Sequence, residues 1–426
     1  MPPVDVLVVG GGFGGALGAH ELERLLKGAA MRVMLVAPEN FMLFSPLLPE
    51  AASGTLEPRH AVIPLRELLG RTELLIGHVV DLDIGARKAT IHAVSGETHH
   101  VEFRCALLSP GSVPTVFPIP GLLDNAVGFK TLADAIWLRN RVLHQLDVAE
   151  ACTDAGDRRR NLTFTFVGGG YAGVEALAEL ESLARDAVRR YRALTIDDFR
   201  WVLVEAQGSL LPGLDPKLAE FTHKVLRKRG IEVHLDTRLE SCVDRRIVLS
   251  DATVAPYDSE TIVWTAGQRP NPIVGEWGLP LDDHGFVPVD DGMRVEGHDE
   301  VFVVGDAARV PDPEGGFAPN TAQHALREAG VAARNIAAAL GTGRAALFTY
   351  RSRGLAVTLG KWQGAAQVRR WTFTGPVAWW MGRSYHLLMM PGFARKSRIV
   401  SDWTMALLFP RDVSQLGQLG TPSPLG

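Results

Sequence analysis

Apolar and polar positions fall into one succession that occurs twice along the chain. Residues 4–9 are almost uninterrupted apolar and β-branched (VDVLVV), the pattern of a strand buried on both faces. A glycine-rich hexamer, GGGFGG, follows at 10–15; residues 16–26 then read as an amphipathic helix and residues 32–36 (RVMLV) as a second strand. The succession returns as LTFTFV at 162–167, GGGYAG at 168–173, a helical run at 174–187 and FRWVLV at 199–204. Residues 301–304 (VFVV) form a further buried-strand run, ending in Gly305-Asp306. Toward the end the pattern predicts strands at 355–359 and 367–373, then helices at 376–390 and 397–408 parted by Pro391-Gly392. Beyond Arg411 the chain is rich in Gly, Pro and Ser and is expected to fray.

The two hexamers contain Gly10-x-Gly12-x-x-Gly15 and Gly168-x-Gly170-x-x-Gly173, with first glycines 158 residues apart. Between a strand and a helix, such glycines allow a tight turn and let backbone N–H groups approach a pyrophosphate at the helix start. One copy is weak evidence; two copies in the right context predict two bound dinucleotides. The acid closing the second strand of each unit selects the nucleotide. In the second unit it is Glu205, whose carboxylate suits ribose hydroxyls and repels a 2′-phosphate, favouring NADH over NADPH. In the first unit Ala37 holds that position, with Glu39 two residues on, behind Pro38.

The fold class predicted is α/β: two Rossmann-like dinucleotide-binding domains followed by a C-terminal α+β segment. One domain takes residues 1–118 and 271–343, the other is inserted at 119–270, and the tail runs 344–426. Composition agrees with a folded α/β chain: 426 residues, 46% of them apolar, and 44 glycines. The three cysteines form no CxxC pair, which speaks against a dithiol redox centre or zinc site, and no metal-ligand spacing occurs among the histidines. No apolar run is long enough to cross a bilayer, and the first strand begins too early for a cleaved leader. The net charge of −4 hides an asymmetry. From Arg344 onward 11 Lys/Arg face only Asp402 and Asp412, giving +9 against −13 for the other 343 residues. That tail also holds Trp362, Trp371, Trp379, Trp380 and Trp403. Cations with Trp, Leu and Met make the composition of an interfacial anchor for anionic lipid; a dimer interface is the alternative.

With these residues in view, the chain resembles the two-dinucleotide-binding flavoproteins, and among them the type II (single-subunit, non-proton-pumping) NADH:quinone oxidoreductases. The resemblance runs from Val4 to about Asp412. It is carried by Pro38-Glu-Asn-Phe-Met-Leu-Phe-Ser-Pro-Leu-Leu-Pro49, Gly54-Thr-Leu-Glu-Pro-Arg59, Ser109-Pro110-Gly111-Ser112, Val263-Trp-Thr-Ala-Gly267 and Val304-Gly-Asp-Ala307. In the tail it rests on Ala378-Trp379-Trp380, His386, Arg395, Trp403 and Arg411-Asp412. The resemblance implies FAD at the first fingerprint and NADH at the second. It assigns to FAD Gly10, Gly12, Phe13, Gly14, Gly15, Pro38, Glu39, Pro46, Val79, Ser109, Pro110, Gly111, Gly305, Asp306, Ala322 and Gln323. Asp306 is expected to bond ribityl hydroxyls, and a helix starting at Thr321 to aim its N-terminus at the flavin ring. To NADH it assigns Gly168, Gly170, Tyr171, Gly173, Glu175, Glu205, Ala266 and Gly267, with Glu175 where nicotinamide meets flavin.

The implied acceptor is a quinone, with Pro46, Leu48, Gly54, Gln323 and Arg327 around it, and Glu175 and Gln323 are the residues nearest the two reactions. Ala322-Gln323-His324-Ala325-Leu326-Arg327 departs from the family's Ala-Gln-x-Ala-x-Gln motif, because Arg327 replaces the second glutamine. An arginine there either donates to a quinone carbonyl or obstructs it, so a non-quinone acceptor is the alternative. Sulfide:quinone reductases need paired reactive cysteines, which Cys105, Cys152 and Cys242 do not match. A non-enzymatic redox-sensing flavoprotein is the reading from another class. The expected setting is peripheral, at the cytoplasmic face of the cell membrane, as a homodimer with no nucleic-acid partner.

Overall fold

The computed structural model describes residues 1–352 and 354–415; Arg353 and the last residues of the expected frayed end, 416–426, lie outside the described residues. The chain divides into two compact units. The first comprises Met1–Phe44, Val62–Val113 and Gln268–Ser352; the second comprises Ser45–Ala61, Pro114–Gly267 and Arg353–Gly426. This grouping differs from the expected boundaries: residues 45–61 and 114–118 group with the second unit, residues 268–270 and 344–352 with the first, and the rest of the tail joins the second unit instead of standing apart.

In the first unit, the strand Val4–Val9 lies parallel between Val33–Ala37 and Thr98–Leu108, and His298–Val303 pairs parallel with Thr98–Leu108 on its far side. The register aligns Val9 with Leu108 and Leu108 with Val303, so three strands end along one edge. At that edge residues 6–9, 105–108 and 301–303 are fully or nearly buried, the burial expected of an apolar run in a parallel sheet. The fingerprint helix, Phe13–Leu25, packs near the Ala322–Ala339 helix, whose Ala329 lies close to where a Gly18 side chain would project. Thr321 caps the latter helix by accepting from His324 N–H.

In the second unit, five parallel strands take the order Ile231–His234, Arg200–Val204, Thr163–Val167, Thr261–Trp264 and Ala126–Val127. The fingerprint helix is Tyr171–Ala187. The tail adds an antiparallel sheet of Gly354–Thr358, Gly364–Val368 and Trp371–Thr374, then helices Gly375–Met389 and Phe393–Leu408. The single strand expected at 367–373 is therefore a hairpin, because the chain turns at Arg369, which takes a left-handed φ of 54°. The end expected to fray beyond Arg411 is held at its start: Arg139 donates to the carbonyls of Asp412 (2.9 Å) and Ser414 (2.8 Å).

Candidate functional site

Each fingerprint builds a cradle at the carboxyl edge of its sheet. Gly10 and Gly168 turn the chain with φ of 103° and 116°, which a side chain resists, and an added Cβ at Gly10 would overlap the Ser109 carbonyl. A Cβ on Gly15 or Gly173 would overlap the carbonyl oxygen of Gly10 or Gly168, so strand and helix approach only without side chains. The middle glycines differ. Beside Gly12 and Gly170 no atom lies within 4 Å of an added Cβ. Both are glycine N-caps, so the cap residue offers no side-chain acceptor to the N–H groups of the next helical turn. Open space before uncapped N–H groups fits a pyrophosphate at both places.

The two cradles separate at the next position. In the second unit Glu205 leans over the fingerprint loop, its carboxylate accepting from Gly169 N–H at 2.5 Å and Gln207 N–H at 2.8 Å. In the first unit the Ala37 methyl occupies the corresponding place, 2.9 Å from where a Gly11 Cβ would stand. A carboxylate offers about four acceptor positions, so Glu205 keeps capacity for ribose hydroxyls. Pro38 and Glu39 are exposed on the loop beyond Ala37, and Val79 is buried in the Glu73–Asp83 strand.

Around the first cradle, Ser109, Pro110 and Gly111 form the turn leaving the Thr98–Leu108 strand, and Asn271 N–H donates to the Gly111 carbonyl at 3.0 Å. Ser112 Oγ donates to Asp306 Oδ2 at 2.7 Å. Gly305 N–H donates to Glu328 Oε2 at 2.7 Å, and burial, seconded by the charge of Asp306, pushes the Glu328 carboxyl up to about 7. Phe13 packs against Phe44 with ring centroids 5.5 Å apart. Asp306 thus sits at the strand end, with Ala322 and Gln323 in the first turn of the helix that follows. These residues fit FAD: glycines for its pyrophosphate, Asp306 for polyol hydroxyls, and a helix N-terminus for negative charge. Pro46, assigned with them from the sequence, falls in the second unit and is half-buried.

Around the second cradle, Ala266 and Gly267 follow the Thr261–Trp264 strand, and the intervening Thr265 Oγ1 donates to the Val167 carbonyl at 3.0 Å. Burial pushes the Tyr171 hydroxyl up to about 12, and among the described residues that buried oxygen has no hydrogen-bond partner. Glu175 has an unforeseen partner: its Oε1 accepts from Thr358 N–H at 2.8 Å and Thr358 Oγ1 at 3.2 Å. Removal from water pushes its carboxyl up to about 8, against the pull of the two Thr358 donors, with the charges of Glu179 and Glu50 adding to the rise.

Those two acids belong to a buried network that the sequence reading missed. Glu50 is 3% exposed, pairs with Arg383 at 3.1 Å and accepts from Trp403 Nε1. The Arg383 guanidinium lies 3.9 Å from the Trp379 ring centroid. Arg411 pairs with Glu179 at 3.8 Å and Asp186 at 3.6 Å. The tail thus supplies the cations that accompany these acids. Glu179 stands four residues after Glu175, one turn along the same helical face, and that spacing was the one legible signal. The pairing of Glu50 with Arg383 left no trace in local pattern.

Of the expected acceptor residues, Gln323 and Arg327 share the first unit, whereas Leu48 and Gly54 belong to the second. Leu48 is 3% exposed in the short Leu48–Ala52 helix, so its side chain is core. Gly54 has φ of 69° and faces the Arg139 guanidinium. The Arg327 guanidinium rests over the Tyr350 ring, 4.9 Å from the centroid.

Known proteins agree with this arrangement. The pyridine nucleotide-disulphide oxidoreductase family pattern matches residues 4–329. A type II NADH:quinone oxidoreductase of Mycobacterium tuberculosis is 30% identical over 420 residues, covering 95% of this chain and 88% of that protein. An internal alternative NAD(P)H-ubiquinone oxidoreductase of Arabidopsis thaliana mitochondria is 27% identical, covering 96% and 85%. In structure, NDH2 from Plasmodium falciparum in complex with NADH superposes with a TM-score of 0.86 at 16% identity, over 96% of this chain and 99% of that one, which shows a shared fold. Paired cradles, divergent acids and these similarities together establish that the chain belongs to the pyridine nucleotide-disulphide oxidoreductase family and, within it, to the type II NADH:quinone oxidoreductases.

Proposed function

We propose that this protein oxidises NADH through bound FAD and passes the electrons to a membrane quinone. The observation that carries this reading is the pair of matched cradles, one with Glu205 over its loop and the other with Ala37. Relatives named NADH:quinone oxidoreductases supply the substrate and acceptor classes. Bound flavin supplies the redox chemistry, so the chain's own task is to position and to tune. Glu205 and the open face of Gly170 hold NADH; Gly12 and Asp306 hold FAD; Thr321 caps the helix whose N-terminus favours negative charge. Glu175, at the start of the second fingerprint helix, is assigned to the nicotinamide end of that site, and Gln323 to the acceptor.

The purified protein is expected to be yellow and to oxidise NADH faster when a soluble quinone is added. Flavin reduction by NADH without quinone turnover would remove the acceptor from this reading and leave the two nucleotides.

The tail supports a place on the surface of a membrane. No helix among the described residues is long and apolar enough to cross one. In Gly375–Met389 the buried positions are Ala378, Trp379, Gly382 and Arg383, while Val377, Trp380 and Leu388 are exposed. In Phe393–Leu408, Arg395, Ile399 and Trp403 are buried, while Phe393 (85%), Val400 and Leu408 (71%) are exposed. Arg369, Arg370, Lys396 and Arg398 stand in the same segment. Apolar faces beside cations fit anionic lipid, and this supports the reading of a peripheral enzyme at the cytoplasmic face of the cell membrane. Co-sedimentation with phosphatidylglycerol vesicles should weaken in salt and fail when Phe393 and Leu408 are both changed to Asp. If those changes instead dissolve a homodimer and vesicles never bind, the face is a subunit interface.

A further inference from the structure

The start of the Ala322–Ala339 helix is organised around a tyrosine that lies well beyond it in the chain. The Tyr350 hydroxyl donates to Gln323 Oε1 at 2.8 Å. Arg327 lies over the face of its ring, and the His324 ring meets it edge-on at 5.2 Å. His324 is itself buried and bonded through Nδ1 to Thr321 Oγ1 at 2.6 Å. Phe348 stands on another side of Tyr350, its ring centroid 6.4 Å away. One phenol therefore touches Gln323, His324 and Arg327, which all lie within the first turn and a half of the helix.

A glutamine in a first helical turn has three rotatable bonds and an amide whose two ends differ in chemistry. A hydroxyl bonded to Oε1 selects one rotamer and one face of the amide together. The phenol uses one of the two acceptor positions on Oε1 and sets the direction in which the N–H end of the amide donates. A donor matches the carbonyl oxygen of an oxidised quinone, which can only accept. Arg327 sits four residues after Gln323, one turn along the same face, where its cation is attracted to the ring and keeps the phenol in place.

We propose that Tyr350 is a positioning residue of the acceptor site: it fixes the Gln323 amide with its nitrogen as donor to a quinone carbonyl, and Arg327 clamps the phenol by its ring face. The proposal rests on the reading of Gln323 as an acceptor-site residue.

The test uses the full-length, FAD-loaded protein with a soluble short-chain quinone. Tyr350→Phe keeps the ring and the Arg327 stack and removes the hydroxyl. Losing one hydrogen bond should raise the quinone KM roughly five- to tenfold. Saturated turnover and the stopped-flow rate of flavin reduction by NADH should not change. In a Gln323→Ala background the same change should have no further effect, because the two residues act as one unit. Gln323→Glu keeps an acceptor for the phenol but has no amide N–H, so it should raise KM as far as Gln323→Ala does. An unchanged quinone KM in Tyr350→Phe, or an effect additive with Gln323→Ala, overturns the proposal. If Gln323→Ala alone leaves the quinone KM unchanged, the acceptor-site reading of Gln323 fails first. Should Tyr350→Phe not retain flavin, Gln323→Glu decides: a raised KM supports the donor role and a wild-type KM overturns it.

Discussion

Glu205 gives the most direct test of how this chain chooses its nucleotide. Its carboxylate does two things that substitution can separate. It accepts hydrogen bonds from Gly169 N–H and Gln207 N–H, which hold the fingerprint loop, and it places a negative charge where a 2′-phosphate would come. Glu205→Gln retains one carbonyl oxygen for the loop and removes the charge; Glu205→Ala removes both. A carboxylate and a phosphate of about −2, roughly 5 Å apart at an effective dielectric of about 40, repel by about 3 kcal/mol. That is a little over a hundredfold in kcat/KM. Glu205 is half-buried, so water and salt reduce the effect, and a tenfold to hundredfold fall in the NADH-to-NADPH ratio of kcat/KM is expected for Glu205→Gln, roughly. The KM for NADH should move little. In Glu205→Ala two charge-assisted hydrogen bonds, each about 1.5–3 kcal/mol, disappear from the loop, so KM for NADH should rise as well. The assay is steady-state NADH and NADPH oxidation with one soluble quinone at low and high salt. A wild-type ratio in Glu205→Gln would refute the charge argument, and equal NADH binding in both variants would refute the loop argument.

Glu175→Gln should slow flavin reduction by NADH while leaving FAD bound, and unchanged NADH oxidation would remove Glu175 from the reaction. The same variant tests the raised pKa. A carboxyl lifted from 4.5 to about 8 binds its proton more tightly when folded, so its stability contribution is complete below 4.5 and lost as pH rises through about 8. Glu175→Gln should flatten that part of a thermal-stability profile between pH 5 and 8, roughly, and a profile parallel to wild type would refute the shift. Arg383→Met leaves Glu50 buried without its cation and should loosen the tail by about 3–5 kcal/mol; adding Glu50→Gln should restore much of it. Hydrogen exchange of amides in Gly375–Met389 reads both, and a double variant no better than the single one would contradict a paired role. Gly12→Val fills space that the protein leaves open and should give a folded, colourless protein, whereas Gly15→Val, which meets the Gly10 carbonyl, should fail to fold. Full flavin content in Gly12→Val would argue against a pyrophosphate at that position.

What the sequence determined by itself was local and periodic. Apolar runs of strand length ending in GGGFGG and GGGYAG fixed both cradles, since burial on two faces and a side-chain-free turn are properties of neighbouring residues. Glu205 and Ala37 were legible for the same reason, each closing the strand after its helix. The tail helices and the first tail strand were found by period, but the hairpin within 367–373 was not, and neither were their partners. Which residue meets Thr358, Glu50 or Gln323 depends on contacts between segments distant in the chain, and no local pattern encodes them. Tertiary structure alone decided that Glu175 accepts from Thr358, that the tail's arginines accompany the buried acids, and that Arg327 lies on Tyr350. Charge and hydrogen-bond capacity must be satisfied wherever they are buried, and only the folded chain determines which groups are buried together.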